Sequence, residues 1–178
     1  MNYFELYGIP VLMKVESGGI KKKFYELSRK YHPDFYLSAP DDQRTEALEK
    51  SSEVNKAYNT FHNQDDLIRY VLKLKGLLHD EEKYELAGDF LMEVMDINEE
   101  LMELEMDPNP EKVSEVESMT KSLLNKSYED VAPVIEHYQE GVTTEKELLQ
   151  VKEYYYRKKY MQRILDKINQ IRNIASQF

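Results

Sequence analysis

A few proline residues divide the N-terminal part of this chain into helical segments. Before Pro33, apolar residues recur every three or four positions, the spacing that places side chains on one face of a helix; they are Ile20, Phe24, Leu27 and Tyr31. Pro33 and Pro40 favour a loop between them, because the residue before a proline avoids helical backbone angles. Helical spacing resumes from Asp41 or Asp42 to about Phe61. We therefore predict two antiparallel helices joined by a short loop.

The rest of the chain follows the same plan and predicts an all-α protein. Gly and Pro number six each in 178 residues, too few for the turns of a β-sandwich or barrel. Further helices are predicted from Asp65 to about Lys75, from Glu82 to Met106, from about Glu111 to Tyr138 and from Thr144 nearly to Phe178. Pro133 should kink or interrupt the helix that contains it.

The charge of the chain is distributed unevenly. The net charge of -10 argues against non-specific binding of nucleic acid, which needs clustered lysine and arginine. Residues 1–75 hold 12 basic and 11 acidic side chains, residues 76–140 hold 4 and 19, and residues 141–178 hold 8 and 4. This distribution predicts a near-neutral N-terminal unit, then an acidic helical region that a basic C-terminal helix partly neutralises.

Residue types exclude several classes of chemistry. The absence of cysteine excludes disulfides, a thiolate zinc site, a cysteine nucleophile and direct thiolate ligation of an iron–sulfur cluster. The four histidines, His32, His62, His79 and His137, lack metal-ligand spacing, and no hydrolase or phosphate-binding motif is present. We therefore expect no catalytic residue, no metal site and no cofactor, and regard an enzyme as the least favoured alternative.

No part of the sequence resembles a membrane span or a leader peptide. No apolar run approaches the eighteen residues needed to cross a bilayer, and Met1–Glu5 lacks the basic-then-apolar plan of a signal peptide. We expect a cytoplasmic protein without a membrane partner.

The tripeptide His32-Pro33-Asp34 lies in the predicted hairpin loop. Alone, it has a purely structural explanation, since Pro33 ends a helix, His32 favours the negative end of the helix dipole and Asp34 forms a turn. Its position after a basic helix and before Val54-Asn55-Lys56-Ala57-Tyr58 resembles a J-domain, the module with which co-chaperones stimulate the ATPase of Hsp70.

Further segments narrow the resemblance to the HscB family. They are Tyr3-Phe4-Glu5-Leu6-Tyr7-Gly8-Ile9-Pro10, Tyr70-Val71-Leu72 and the stretch from Phe90 to Leu101. The resemblance implies a J-domain over residues 1–75, a linker over 76–81 and a three-helix bundle over 82–178. It also implies a co-chaperone that activates an Hsp70 of HscA or DnaK type and delivers to it an IscU-type iron–sulfur scaffold protein, and that is not itself an enzyme.

The resemblance assigns the Hsp70 contact to the hairpin. It implies that Asp34 pairs with an arginine of the ATP-bound Hsp70, that His32 and Pro33 fix the loop, and that an acidic surface meets Lys21, Lys22, Arg29 and Lys30. The chain departs from the family where a basic residue and then phenylalanine tend to follow the tripeptide, since Phe35 and Tyr36 stand there. By the same resemblance, this replacement weakens one electrostatic contact with the Hsp70.

The helix predicted over residues 82–106 has two apolar faces. One holds Leu86, Phe90, Val94, Ile97, Leu101 and Leu104, and the other, about 130° away, holds Leu91, Met95, Met102 and Met106. Met92, Asp96, Glu99 and Glu103 lie beside the second face. This strip either packs on a neighbouring helix or forms an adaptable partner surface.

The HscB resemblance implies scaffold contacts at Leu91, Met92, Met95, Asp96, Glu99, Glu103 and Tyr156. Tyr156 follows Tyr154 and Tyr155, and three consecutive positions span about 200° of a helix, so the three rings cannot all be buried.

Two alternatives remain open. In the first, the protein is a helical adaptor whose methionine strip mediates dimerisation and whose tripeptide is only a loop. In the second, the J-domain is real but the bundle serves general unfolded clients.

Overall fold

The computed structural model describes residues 1–177, and regular secondary structure in that range is entirely helical. Seven α-helices lie along these residues: α1 (Tyr3–Tyr7), α2 (Ser17–Lys30), α3 (Asp41–His62), α4 (Gln64–Leu74), α5 (Gly88–Met106), α6 (Pro110–Glu136) and α7 (Glu145–Ala175). A short 3-10 helix, Pro33–Tyr36, lies between α2 and α3. The predicted all-α class is confirmed.

The chain forms two compact units. The first contains Met1–Leu77 and Ile135–Thr144, and the second contains Leu78–Val134 and the chain from Glu145 onward. Residues 135–144 therefore belong to the first unit, although the sequence had placed them in the bundle. Ile135 and Tyr138 are buried, and Lys14 pairs with Glu136 at 3.5 Å.

The core of the first unit forms where α1 packs on α3. Asn2 and Glu5 make a reciprocal cap at the start of α1, each side chain accepting the other residue's backbone N–H at 2.9 Å. The rings of Phe4 and Tyr7 lie 5.4 and 5.0 Å from the ring of Phe61 on α3. This aromatic cluster fixes the base of the hairpin.

The α2–α3 hairpin holds its loop at an exposed end. Ile20 of α2 is buried, and the Phe24 ring lies 4.1 Å from the ring of Tyr58 on α3. The loop is more ordered than the sequence predicts, because Pro33 begins a 3-10 helix. Proline suits the first helical position because it has no N–H that would remain unpaired there.

The second unit is a bundle of α5, α6 and α7. Its core contains Phe90, Val94, Ile97, Leu101 and Leu104 of α5 with apolar residues of the other two helices, among them Val113, Val116, Met161, Ile164, Ile168 and Ile171. The inward stripe predicted for α5 is therefore confirmed, although Leu86 reaches the same core from outside the helix.

The predicted start of one helix is wrong. Helix α5 begins at Gly88, six residues after Glu82, because polar partners hold the preceding segment in a non-helical form; the Ala87 N–H, for example, donates to Glu153 Oε1 at 3.0 Å. Helix α6 continues through Pro133 to Glu136, so the interruption that was one expected outcome does not occur. Pro133 lies in the last turn of α6, where it removes one backbone N–H donor and only three residues of the helix follow it.

Tyr7 supplies the first testable prediction. Its hydroxyl donates to the Val54 carbonyl at 2.8 Å, and burial, followed by the nearby Tyr58, raises the pKa of Tyr7. We expect Tyr7→Phe to lower the free energy of unfolding by about 0.5–1.5 kcal/mol, the net contribution of one such hydrogen bond. Urea titration measures this change. Tyr25→Phe, on the exposed side of α2, is the control, and equal stability of both variants would contradict the prediction.

Candidate interaction surfaces

The hairpin tip is held by hydrogen bonds that begin at His32. Its Nδ1 accepts the Asp34 backbone N–H at 3.3 Å, and its carbonyl accepts the Phe35 N–H at 3.1 Å. The Tyr36 hydroxyl ties the far end of the turn to the Lys30 carbonyl at 2.9 Å. Because Nδ1 acts as an acceptor, the proton of the neutral imidazole is on Nε2, which remains available to a partner. His32 therefore shapes the tip as well as lying on its surface.

The Asp34 carboxylate points into solvent. The side chains of His32 and Asp34 are 53% and 77% exposed, and Asp34 Oδ2 lies 3.7 Å from His32 Nδ1. Within residues 1–177 Asp34 has no lysine or arginine partner. A cation of another protein can thus approach the carboxylate without displacing one that is already bound.

The four predicted basic contacts on α2 are all exposed, but they do not share one face. Lys22 and Arg29 lie within about 20° of each other on the helix, with Lys21 about 80° from Arg29 on one side. Lys30 is about 100° from Arg29 on the other side, and its Nζ lies 5.1 Å from the centre of the Tyr31 ring. Lys22 and Arg29 are therefore the best aligned of the four.

An aromatic pair flanks the tip. Phe35 is 75% exposed, and it shares a shallow cleft with Tyr25, Ser28, Arg29, His32 and Asp34. Phe35 enters the sequence prediction only as a departure from the HscB resemblance, and Tyr25 is not among the predicted contacts. The outward position of Tyr25 on α2, close to that of Arg29, is the signal that would have identified it.

The second surface is the outer face of α5, which we call the methionine ridge: Leu91, Met92, Met95, Met102 and Met106. All five side chains are exposed, Met92 by 73% and Met95 by 57%. The inward stripe of the helix is buried in the bundle core, and the ridge stays exposed to solvent. Leu91, for which packing on a neighbouring helix was an open alternative, also faces solvent.

The three acidic side chains beside the ridge differ in how they are paired. Glu103 Oε2 accepts from Lys112 Nζ at 3.0 Å, so the charge of Glu103 is partly neutralised. Asp96 and Glu99 are exposed and make no ion pair within residues 1–177. Asp96 and Glu99 therefore present the uncompensated charge of this rim.

Tyr156 lies in a different setting from the ridge. Tyr154 and Tyr155 are buried and Tyr156 is half-buried, stacked on Tyr84 with ring centres 4.3 Å apart. Its hydroxyl donates to Glu82 Oε1 at 2.8 Å. Tyr156 thus anchors the segment before α5, and only the remaining exposed part of its ring is free to meet a partner.

The carboxylates of Glu82 and Glu153 hold the segment before α5 against α7. Burial acts to raise the pKa of the Glu82 carboxyl, but hydrogen bonds from Lys152, Tyr156 and the His79 N–H outweigh burial and leave this pKa below its usual value. The Glu153 carboxyl behaves alike, since bonds from Tyr84, the Ala87 N–H and Arg157 overcome its desolvation and lower its pKa. Sequence periodicity gave no signal of this cluster.

Comparison with known proteins identifies the family. A family model described as the DnaJ domain matches residues 2–70, and one described as the HSCB C-terminal oligomerisation domain matches residues 86–169. A co-chaperone protein HscB homolog from Aliivibrio fischeri is 32% identical over 132 residues, which cover 70% of this chain and 76% of that relative. The chain belongs to the HscB family. It is an HscB-type J-domain co-chaperone, as the sequence resemblance predicted.

Other HscB proteins match over different lengths. The HscB homolog of Vibrio cholerae is 32% identical over 112 residues, which span 62% of this chain and 66% of that relative, slightly under two thirds of its length. The solved human co-chaperone protein HscB has a TM-score of 0.72 at 26% identity, covering 95% of this chain and 81% of that one. The solved HscB of Vibrio cholerae has a TM-score of 0.65 at 22% identity over 99% of both chains, a likeness of fold.

Among residues 1–177, no helix combines the length and the low charge that a membrane span needs. The same residues contain no cluster of three or more metal-ligating side chains of the histidine, cysteine and carboxylate types.

The Glu82 and Glu153 cluster predicts how stability depends on pH. A carboxyl whose pKa is lowered by folding stabilises the fold above its unfolded pKa of about 4.3, and this contribution is lost as pH falls through the folded value. We therefore expect the melting temperature of the second unit to decrease as the pH is lowered past about 4.3. This decrease should be less steep in Glu82→Gln than in the parent chain. Differential scanning calorimetry across pH 2–7 tests this. Identical acid slopes in the two proteins would contradict it.

Proposed function

We propose that this HscB-family co-chaperone stimulates the ATPase of an Hsp70 of HscA or DnaK type and delivers to it an IscU-type scaffold protein for iron–sulfur cluster maturation and transfer. The observation that carries the proposal is the presence of two exposed surfaces of different chemistry on separate compact units. The iron–sulfur cluster is cargo of the scaffold, and ATP is hydrolysed by the Hsp70.

The hairpin tip is the proposed contact with the Hsp70. The solvent-facing carboxylate of Asp34 can take an arginine of the partner, and a charge-assisted hydrogen bond of this kind contributes about 1.5–3 kcal/mol. The turn anchored by His32 holds the carboxylate in place before binding, which lowers the ordering cost. Lys22 and Arg29 add electrostatic steering, which salt weakens. One charge-assisted hydrogen bond and salt-sensitive steering together suit a transient complex.

The methionine ridge is the proposed contact with the scaffold protein. Thioether side chains are unbranched and adapt to irregular apolar surfaces, and here they are exposed beside uncompensated carboxylates. A partner surface with apolar and basic side chains complements both features. In the proposed function Leu91, Met92, Met95, Asp96, Glu99, Glu103 and Tyr156 form this contact, with Asp96 and Glu99 supplying most of the charge.

In the proposed function, one polypeptide carries both contacts and so brings the client protein to its chaperone. Once the ridge holds the scaffold, the Hsp70 meets it as part of one complex, and the effective concentration of client at the chaperone rises. ATP hydrolysis by the Hsp70, stimulated through the hairpin tip, then traps the client.

The hairpin gives a prediction for ATP turnover. We expect His32→Gln to abolish stimulation of the Hsp70 ATPase, because a longer and more flexible amide replaces the rigid imidazole that caps the Asp34 N–H, and to leave scaffold binding unchanged. Single-turnover ATPase assays with purified Hsp70, with and without scaffold, measure this. His137→Gln, another exposed histidine of the first unit, is the matched control. Loss of scaffold binding together with stimulation would argue against two independent surfaces.

The ridge gives a prediction for scaffold binding. We expect Met92→Ala combined with Met95→Ala to weaken binding at least about tenfold, which corresponds to 1.4 kcal/mol of lost apolar contact. Isothermal titration with the scaffold measures this, and basal stimulation of the Hsp70 should persist. Met119→Ala, an exposed methionine on α6, is the control. If the scaffold binds the double variant with parental affinity, the ridge is not its site.

The acidic rim gives a separate prediction. Glu99→Lys should weaken scaffold binding without loss of stability, because Glu99 has no ion pair within the described residues that the change would break. Glu115→Lys on α6 changes the net charge equally and should leave binding intact. The same loss in both variants would show a general charge effect instead of a contact.

The same measurements separate the competing functions. A helical adaptor that dimerises through the ridge would not raise ATP turnover, and its mass in solution would fall when Met92 and Met95 are replaced. A J-domain protein for general clients would stimulate the ATPase but bind an unfolded polypeptide in preference to the folded scaffold. Light scattering and a competition assay with an unfolded protein distinguish these outcomes.

A further inference from the structure

A second cleft in the bundle unit has the opposite charge to the methionine ridge. We call it the cation–tyrosine cleft: Lys83, Tyr84, Tyr156, Lys159, Tyr160 and Arg163. Lys83 and Tyr84 come from the segment before α5, and the other four residues come from α7; Glu82 and Leu86 complete the lining. None of these residues is needed for the contacts with Hsp70, and only Tyr156 was assigned to the scaffold contact.

The three cations of this cleft have no carboxylate partner within residues 1–177, although Lys159 Nζ lies 5.5 Å from the centre of the Tyr155 ring. Four other basic side chains of α7 do have carboxylate partners: Lys152 pairs with Glu82 at 3.0 Å and Arg157 with Glu153 at 3.1 Å, and Lys167 and Arg172 pair with Glu105 and Glu117. Within residues 1–177, Lys83, Lys159 and Arg163 form no ion pair. Like charges that are held close together repel, so an external anion would relieve this repulsion.

The other polar groups of the cleft are already bonded. The Tyr84 hydroxyl donates to Glu153, and the Tyr156 hydroxyl donates to Glu82, whose charge Lys152 offsets. The Tyr160 hydroxyl accepts from Asn98 Nδ2 at 2.9 Å. The tyrosines therefore offer ring surface and the cations offer charge, a combination that suits an anionic group on an apolar backbone.

The spacing of the cations matches an extended peptide. Lys159 and Arg163 are four residues apart on α7, about 6 Å along the helix axis, and alternate residues of an extended chain are separated by about 6.6 Å. Lys83, from the segment before α5, lines the same open cleft of about 440 Å³. Charges contributed by two segments of the chain suit successive carboxylates better than a single compact anion.

We propose that the cation–tyrosine cleft binds an acidic peptide segment of a partner protein in an extended conformation. The partner is defined by charge complementarity with Lys83, Lys159 and Arg163. The proposal goes beyond the function proposed above: the cleft shares only Tyr156 with the scaffold contact, and the acidic edges of the ridge select the opposite charge.

The charge of the whole protein makes the test specific. The second unit carries 21 acidic and 12 basic side chains, and the full chain has a net charge of -10. Long-range electrostatics therefore repel an acidic ligand, and binding has to come from a local positive site.

The experiment uses the full chain and a short fluorescent peptide in which glutamate and serine alternate. Fluorescence anisotropy should show saturable binding that weakens with added salt, and no binding of a neutral glutamine–serine peptide of the same length. Lys159→Glu combined with Arg163→Glu should weaken binding of the acidic peptide at least about tenfold, and Lys83→Glu should also weaken it, because Lys83 lines the same cleft from the segment before α5.

A matched double variant controls for net charge. Lys126→Glu combined with Lys146→Glu changes the charge of the same unit by the same amount at exposed positions outside the cleft, and binding should persist. Thermal melts monitored by circular dichroism verify that every variant is folded. Equal loss in both double variants, retained binding in the cleft variants, or no binding by the parent chain would overturn the proposal. Binding of tripolyphosphate with the same cation dependence, but not of the peptide, would also overturn it and assign the cleft to compact anions.

Discussion

The burial of one face of α5 decides which side chains this co-chaperone can offer to a partner. Phe90, Val94 and Ile97 must face α6 and α7 to form the bundle core, and helical geometry then turns Met92, Met95 and Glu99 outward. A helix with one apolar stripe would leave a purely polar outer surface. Because α5 has a second apolar stripe, folding of the bundle itself creates an exposed hydrophobic surface, a feature typical of interaction sites.

The shape of the hairpin tip also depends on local backbone geometry. His32 caps the turn that contains Asp34, so the residue that holds the backbone is adjacent to the residue that carries the charge. Pro33 fixes one backbone angle between them. The tip is thus ordered before any partner arrives, whereas the basic side chains of α2 remain long and flexible. In the proposed function the tip supplies specificity and the helix supplies attraction at a distance.

Ion pairing divides the abundant charges of the second unit into structural and available groups. Glu82, Glu153 and Glu117 are bound by lysine, arginine or tyrosine side chains, which lower the pKa of each carboxyl. Asp96 and Glu99 at the ridge have no such partners within residues 1–177, and neither do the cations of the cation–tyrosine cleft. Two surfaces of opposite charge therefore remain on a unit in which other charges, those of Glu82 and Glu153 among them, help to hold the fold together.

The sequence by itself determined the helical class, the hairpin loop, the position of His32-Pro33-Asp34 and the two apolar faces of α5, because these follow from local periodicity and proline stereochemistry. Only the tertiary structure decided that α5 begins at Gly88, that residues 135–144 join the first unit, and that Glu103 is paired while Glu99 is not. Each of these depends on a partner that the local pattern does not specify: Glu153 lies 66 residues from the Ala87 N–H that it accepts. Periodicity reports which face of a helix is apolar, but the pairing of a polar group depends on which distant side chains the fold brings near it.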